Sequence, residues 1–311
     1  MGVAKQLRSL PVWLVAQGLL VAVLFVVLCR VFFSGQSEPA ALRPPVFHDI
    51  SALDDGDVEQ IDAWLQEQVA LAQYPSLSVA IVCDGRVVYR RAFGFEDVEA
   101  GRQATPETSY HVASVTKVFT AALAVLLHER GVVNLDKPVV DYLPAGVSIS
   151  TTPKVGATIT LRQLASHTSG LPRDLGTPVQ SVEGRYALEP QLLYGQLAKV
   201  KLVDDPGTSC AYSNLGIGLL GLALERAAGK PYDELLIELV CAPLQLQHTA
   251  IQPTDQHHVA RGYSSEVPRR PEEHSYRNRL AASGGLITSA PDLAQFLLSQ
   301  MEPGVFSREA L

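Results

Sequence analysis

The chain has 311 residues, 47% of them hydrophobic and 18% charged, a composition that excludes a disordered segment or a fibrous repeat and leaves room for one large domain. Its 32 acidic and 25 basic residues give a formal charge of -7, which argues against a nucleic-acid reader built on a basic face. The four cysteines, Cys29, Cys83, Cys210 and Cys241, form no CxxC pair, so neither a zinc ribbon nor a thioredoxin-type redox site is written here.

Leu10 to Cys29 carry no charged side chain, and about 20 apolar residues rising about 1.5 Å each cross a ~30 Å hydrocarbon core. Residues 10–33 therefore read as a transmembrane signal anchor, 1–9 as its cytoplasmic N-terminus, 34–50 as a proline-bearing tether and 51–311 as the folded domain. Lys5 and Arg8 precede the span and only Arg30 follows closely. The positive-inside bias then places the N-terminus in the cytoplasm and the domain outside it, periplasmic or extracellular.

Within the domain, Val58, Ile61, Leu65, Val69 and Ala72 recur at helical spacing behind Asp54-Asp55, which predicts an amphipathic helix over 56–73. Two β-rich runs, LSVAIVC and RVVYRRAFGF, flank Asp84-Gly85, a hairpin signal. Ser114 to Arg130 is a nearly all-apolar helix closed by Gly131. A loop-rich middle punctuated by Pro138, Pro144, Pro153 and Pro172 follows. Leu215–Ala228, stopped by Gly229, and Tyr232–Val240, opened by Pro231, read as two more helices. Ser289 to Asp292 has a capping-box layout before a last helix. The class is α+β with a large helical part.

Ser114 and Lys117 stand three residues apart, so a hydroxyl and an amine share one face of the buried helix. A hydroxyl becomes nucleophilic when a base takes its proton, and burial disfavours the charged form of lysine. Taken alone, the spacing reads more simply as an N-cap serine and a lysine whose stem lies on the surface. Tyr212 and Asn214 lie behind Pro206-Gly207 and before a helix, offering a phenol for proton relay and an amide for a substrate carbonyl; the plain alternative is a turn with Asn at a cap. Gly216, Gly218 and Gly221 satisfy GxGxxG, but a polar turn precedes them where a dinucleotide fold needs a strand, so they read as close helix packing. His257-His258 lacks metal-ligand spacing and reads as surface loop, and no GxSxG elbow occurs.

The blocks GRVVYRRAFGFEDVEAGRQATPETSYHVASVTKVFTAA, NLDKPVVDYLP, ITLRQLASHTSGLP, DPGTSCAYSNLGIGLLGLALERAAGKPYDELL, APLQLQHT and AASGGLITSAPDLAQF, in this order, resemble the serine β-lactamase and penicillin-binding-protein superfamily in its class C-like branch. The resemblance covers about residues 55–300. It implies a β-lactamase/transpeptidase-like fold with an antiparallel sheet, Ser114 as acylated nucleophile, Lys117 as its base partner, Tyr212 as proton relay and Asn214 as substrate-positioning amide. It implies no metal and no cofactor. His167, in HTSGLP, is expected to be structural rather than catalytic.

The family's KTG or HxG triplet, which supplies a second oxyanion N–H from a C-terminal strand, does not occur after Asn214. The expectation is a domain incomplete at its C-terminus, with its last strands missing, one sheet edge unpaired and the stripe of helix 56–73 partly uncovered. The function expected is a serine hydrolase acting on an ester, amide, β-lactam or D-amino-acid peptide. The alternatives are an impaired relative that binds or regulates, and a fragment of a longer active hydrolase.

Overall fold

The computed structural model describes residues 53–149, 158–175, 190–272 and 281–301, together with 304 and 306. The expected anchor and tether, 10–33 and 34–50, lie outside the described residues. No helix among those described is long and apolar enough to cross a membrane.

Helix α1, Asp55–Ala72, begins one residue before the predicted start because Asp54 caps it. The Asp57 N–H donates to Asp54 Oδ1 at 2.8 Å and the Asp54 N–H to Asp57 Oδ2 at 3.2 Å, a reciprocal pair that occupies two otherwise orphaned donors. Strands β1, Ser76–Cys83, and β2, Arg86–Asp97, form the predicted hairpin. Asp84 and Gly85 both have positive φ, 48° and 70°, the backbone that matches a two-residue turn to twisted strands. Strand β3, Arg102–Gln103, extends the sheet in the order β1-β2-β3.

Ile61 and Leu65 of α1 pack with Tyr89 of β2 in a small cluster of their own. The Tyr89 hydroxyl donates to Asp62 Oδ1 at 2.5 Å, and burial, with that bond, pushes the phenol pKa up. Among the described residues β1 pairs only with β2, and all eight of its residues are half-buried.

Strand β4, Tyr110–His111, leads into the segment predicted as one helix over 114–130. The structure divides it into a 3-10 turn, Ala113–Val115, and helix α2, Thr116–Glu129. Ala113 sits at φ +44°, outside helical space, and the Thr116 hydroxyl donates to its carbonyl at 2.6 Å. Helix α3, Leu161–Ala165, carries a Thr160–Gln163 capping box, and α4 spans Pro190–Leu197.

Helix α5, Asn214–Ala228, ends at Gly229 in the left-handed region, as the glycine predicts. The single helix expected over 232–240 is instead α6, Tyr232–Leu236, a π-turn over Ile237–Cys241 and a last turn, α7, Ala242–Leu244. Pro243 has no N–H to return to Leu239, and the wider turn accommodates that loss.

Two short strands, β5 (Gly262–Tyr263) and β6 (Pro271–Glu272), pair with each other. Helix α8, Ala281–Gly284, precedes β7, Ile287–Thr288, which pairs antiparallel with β4. The final helix is α9, Ala290–Met301. It packs on β1 and β2, a support for the hairpin that the sequence reading did not anticipate. Its expected capping box is half formed. Ser289 Oγ accepts from the Asp292 N–H at 3.3 Å, while the buried Asp292 carboxylate turns to the His248 N–H at 2.8 Å and the Thr249 hydroxyl at 2.7 Å.

The main core lies among the helices. Phe119 of α2 stacks on Phe296 of α9 with ring centroids 4.0 Å apart, and Leu123, Leu127, Leu219 and Leu220 are fully or nearly fully buried around them. Gly221 sets the closest approach. A Cβ on it would lie 2.3 Å from the Ala282 Cβ, so α5 and α8 can touch only because this position has no side chain. The GxGxxG run is thus packing surface at Gly221, as expected.

Candidate active site

Ser114 occupies the 3-10 turn ahead of α2 and faces solvent, whereas Lys117, three residues on, is buried at 7% exposure. The Lys117 ammonium donates to Ser114 Oγ at 3.0 Å and to the carbonyl oxygen of Ser283. That carbonyl lies on α8, which two threonines of α2 hold in place. Thr120 Oγ1 meets the Ala282 carbonyl at 2.6 Å and the Tyr232 hydroxyl at 2.7 Å, and the Leu286 N–H donates to Thr116 Oγ1 at 3.0 Å. An amine held by fixed dipoles on the dry side of a turn, with its hydroxyl partner on the wet side, can exchange a proton with that hydroxyl.

The Tyr212 hydroxyl donates to Ser114 Oγ from the other side at 2.7 Å. The ring is 39% exposed, with the Lys117 ammonium 5.0 Å from its centroid. Ser114, Lys117 and Tyr212 are therefore brought together.

Asn214 is in the same segment but points its amide elsewhere, donating to Asp174 Oδ1 at 3.0 Å. The helix cap is not Asn214, as the plain reading of this turn had it, but Ser213, whose hydroxyl accepts from the Gly216 N–H at 2.8 Å and donates to the Pro172 carbonyl at 2.7 Å.

The loop His167–Asp174 holds this segment almost residue by residue. The Ala211 N–H donates to the His167 carbonyl at 2.8 Å, and the Asn214 N–H to the Arg173 carbonyl at 2.9 Å. The Ser213 N–H donates to His167 Nδ1 at 3.1 Å, and the imidazole lies 4.6 Å from the Tyr212 ring. Burial, and then the Lys117 ammonium, hold the His167 pKa below its usual 6.5, so the neutral ring is the form that accepts from Ser213. Gly170 reaches so close to Asp204 that an added Cβ would lie 2.1 Å from the Asp204 carbonyl oxygen, at φ +73°.

A family model described as Beta-lactamase matches residues 61–311. The chain belongs to the beta-lactamase family. Protein flp of Staphylococcus aureus strain MW2 is 29% identical over 253 residues, 79% of this chain and 49% of that protein. The D-alanyl-D-alanine-carboxypeptidase/endopeptidase AmpH of Escherichia coli K12 is 32% identical over 73% of this chain and 58% of its own length. Among solved structures, the octameric penicillin-binding protein homologue from Pyrococcus abyssi superposes with a TM-score of 0.69 at 29% identity, covering 82% of this chain and 59% of that one. The present chain spans about half the length of the flp relatives it matches.

Four groups around Ser114 and Tyr212 in this beta-lactamase family chain carry no clear signal in the sequence. His167 was placed in the fold but not against Tyr212. Arg173 and Asp174 follow HTSGLP without a motif of their own, and the Ser283 carbonyl is a backbone atom. The one usable signal was the AASGGL block, whose small residues mark a close approach. A separate cleft of about 530 Å³ lies between β2 and the start of α9, lined by Tyr89, Arg91, Gln245 and Gln295. It includes none of the serine, lysine, tyrosine and asparagine discussed above.

Proposed function

We propose that this chain carries the acylation apparatus of a serine hydrolase, with Ser114 as nucleophile, Lys117 and Tyr212 as its proton partners and Asn214 as a substrate-positioning amide. The observation that carries the reading is that both Lys117 and Tyr212 donate to the one Ser114 oxygen, at 3.0 and 2.7 Å. Two donors converging on an oxygen stabilise the negative charge it gains when its proton leaves.

In the first step the Lys117–Tyr212 pair, one proton short of ammonium plus phenol, takes the Ser114 proton as the Ser114 oxygen bonds to the acyl carbon. The tetrahedral intermediate then collapses, and the departing alcohol or amine takes that proton. Water adds to the acyl-enzyme in the second step, giving up a proton to the same pair, which returns it to Ser114 as the acid leaves. Burial of Lys117 beside exposed Ser114 and Tyr212 suits this exchange, because the pair needs no solvent reorganisation and the acyl group needs access.

The substrate class in this reading is an ester, amide, β-lactam or D-amino-acid peptide, and the similarity to AmpH supports the last of these. A panel of activated esters and D-alanyl peptides assayed with the wild type and Ser114→Ala tests the reading. Turnover of any member that Ser114→Ala lowers by at least about 10³ is expected, and turnover surviving Ser114→Ala unchanged overturns it. The reading also puts the domain, 51–311, outside the membrane on the anchor 10–33. Carbonate extraction of the full chain, compared with a chain starting at residue 34, tests that placement, and full-chain protein released into the soluble fraction contradicts it.

A further inference from the structure

Arg173 stands at the mouth of the site, and the acylation chemistry does not use it. Its guanidinium carbon lies 5.1 Å from the centroid of the Tyr212 ring, whose hydroxyl reaches Ser114 Oγ at 2.7 Å. The side chain is 71% exposed, and its Nε approaches Asp174 Oδ2 at 3.6 Å. The other oxygen of the same carboxylate accepts the Asn214 amide at 3.0 Å. Arg173 is thus held at two points, by the aromatic ring against its face and by Asp174 at its stem nitrogen. Its two terminal nitrogens donate no hydrogen bond to the described residues.

Contacts of this kind bias the guanidinium toward the site before any ligand arrives, which lowers the ordering cost of binding. The open edge presents paired N–H groups in the fork that matches a carboxylate. The charge balance around it points the same way. Lys117 and Arg173 both flank Tyr212, Asp174 is the carboxylate beside them, and His167 is held in its neutral form. Two basic side chains and one carboxylate thus border Tyr212, in a chain of net charge -7.

We propose that the terminal nitrogens of Arg173 form an anion subsite beside Ser114, on the Asn214 side of Tyr212, and that the acyl substrate carries a carboxylate there. The proposal rests on the acyl-enzyme reading and narrows its substrate class.

Equilibrium binding of two boronic acids to the full chain tests it without requiring turnover. Phenylboronic acid and 3-carboxyphenylboronic acid both add to a nucleophilic serine hydroxyl, and they differ by one carboxylate. The wild type is expected to prefer the carboxylate analogue by at least about tenfold, the size of a charge-assisted hydrogen bond. The preference should shrink as ionic strength rises. Arg173→Gln should reduce it to less than about twofold, and Arg173→Lys should retain part of it, because a point charge lacks the fork.

If Arg173 merely steadies Tyr212, Arg173→Gln weakens both analogues alike and the preference survives, which overturns the subsite. A wild type with no preference overturns it too. Ser114→Ala separates the two ideas. Loss of both boronates supports the acylation reading, whereas unchanged binding refutes that reading and leaves the Arg173 comparison to judge the subsite on its own.

Discussion

The Lys117 ammonium donates to the Ser283 carbonyl, joining residues 166 positions apart, and the same ammonium donates to Ser114 Oγ at 3.0 Å. The proposed base partner, Lys117, is therefore aimed by a backbone atom on α8. A backbone carbonyl cannot be removed by substitution, so the lysine is the member to change. Lys117→Ala is expected to lower kcat/KM by about 10²–10⁴, the range for losing a positioned proton-transfer group. Lys117→Arg should fare no better, since a planar guanidinium that stays protonated cannot take the Ser114 proton. Steady-state kinetics on an activated ester checks both, and an active Lys117→Arg would contradict a proton-transfer role for the amine.

Gly221 packs against Ala282, the residue before Ser283. A methyl at this position would meet the Ala282 Cβ at 2.3 Å and push α8 away from α5, moving Ser283 relative to Lys117. Gly221→Ala should cost about 1–3 kcal/mol of stability through overpacking and lower kcat as well. Ala282→Gly in the same chain should restore part of both. A double-mutant cycle by urea unfolding and ester hydrolysis measures the coupling; strict additivity would mean that the two positions do not press on each other.

Much of this arrangement is legible in the sequence wherever the signal is local. Asp84-Gly85 announces the hairpin, Gly131 and Gly229 end their helices, and a three-residue step puts Ser114 and Lys117 on one face. Tyr212 is 98 residues from Ser114, and only the family motif, not spacing, linked them beforehand. The Ser283 carbonyl has no side-chain signature at all. The Asp292 carboxylate looked like half of a helix cap, yet its partners are His248 and Thr249, 44 and 43 residues away, a contact that exists only once α9 is packed. The π-turn over 237–241 follows from Pro243, whose missing N–H weakens a helix that the apolar pattern alone would continue.

Asp292 tests that tertiary contact. Its carboxylate is buried and accepts from the His248 N–H and the Thr249 hydroxyl. Asp292→Ala leaves the His248 N–H without its acceptor, at a cost of about 1–3 kcal/mol where it remains dry, while the Thr249 hydroxyl keeps Thr288 Oγ1 at 2.7 Å as a partner. Thermal unfolding should show a clear drop in midpoint for Asp292→Ala and a smaller one for Asp292→Asn, which keeps one acceptor oxygen. Equal midpoints for wild type and Asp292→Ala would show that the contact contributes nothing.

His167 gives a pH dependence whose sign is fixed. Its pKa in the fold lies below the unfolded value of 6.5, so the unfolded chain takes up the proton first as pH falls. The stability it contributes is fully present above about pH 6.5 and declines as pH drops below that value toward the folded pKa. Protonation also places an N–H against the Ser213 N–H and a second positive charge near Lys117, loosening Tyr212. His167→Asn suits the left-handed backbone at φ 59° and does not titrate. Urea unfolding at a series of pH values from 7 to 5 should show the wild type losing more stability than this variant; parallel curves would remove His167 from the pH response.

Trapping the serine itself bears on the whole account most directly. The full chain is treated with a fluorophosphonate, and its intact mass and peptide map are read. The expected result is one phosphonyl adduct, located on Ser114, lost in Ser114→Ala and formed at least about 10² more slowly in Lys117→Ala. An adduct on another residue, or wild-type protein that stays unmodified, would contradict Ser114 as the nucleophile.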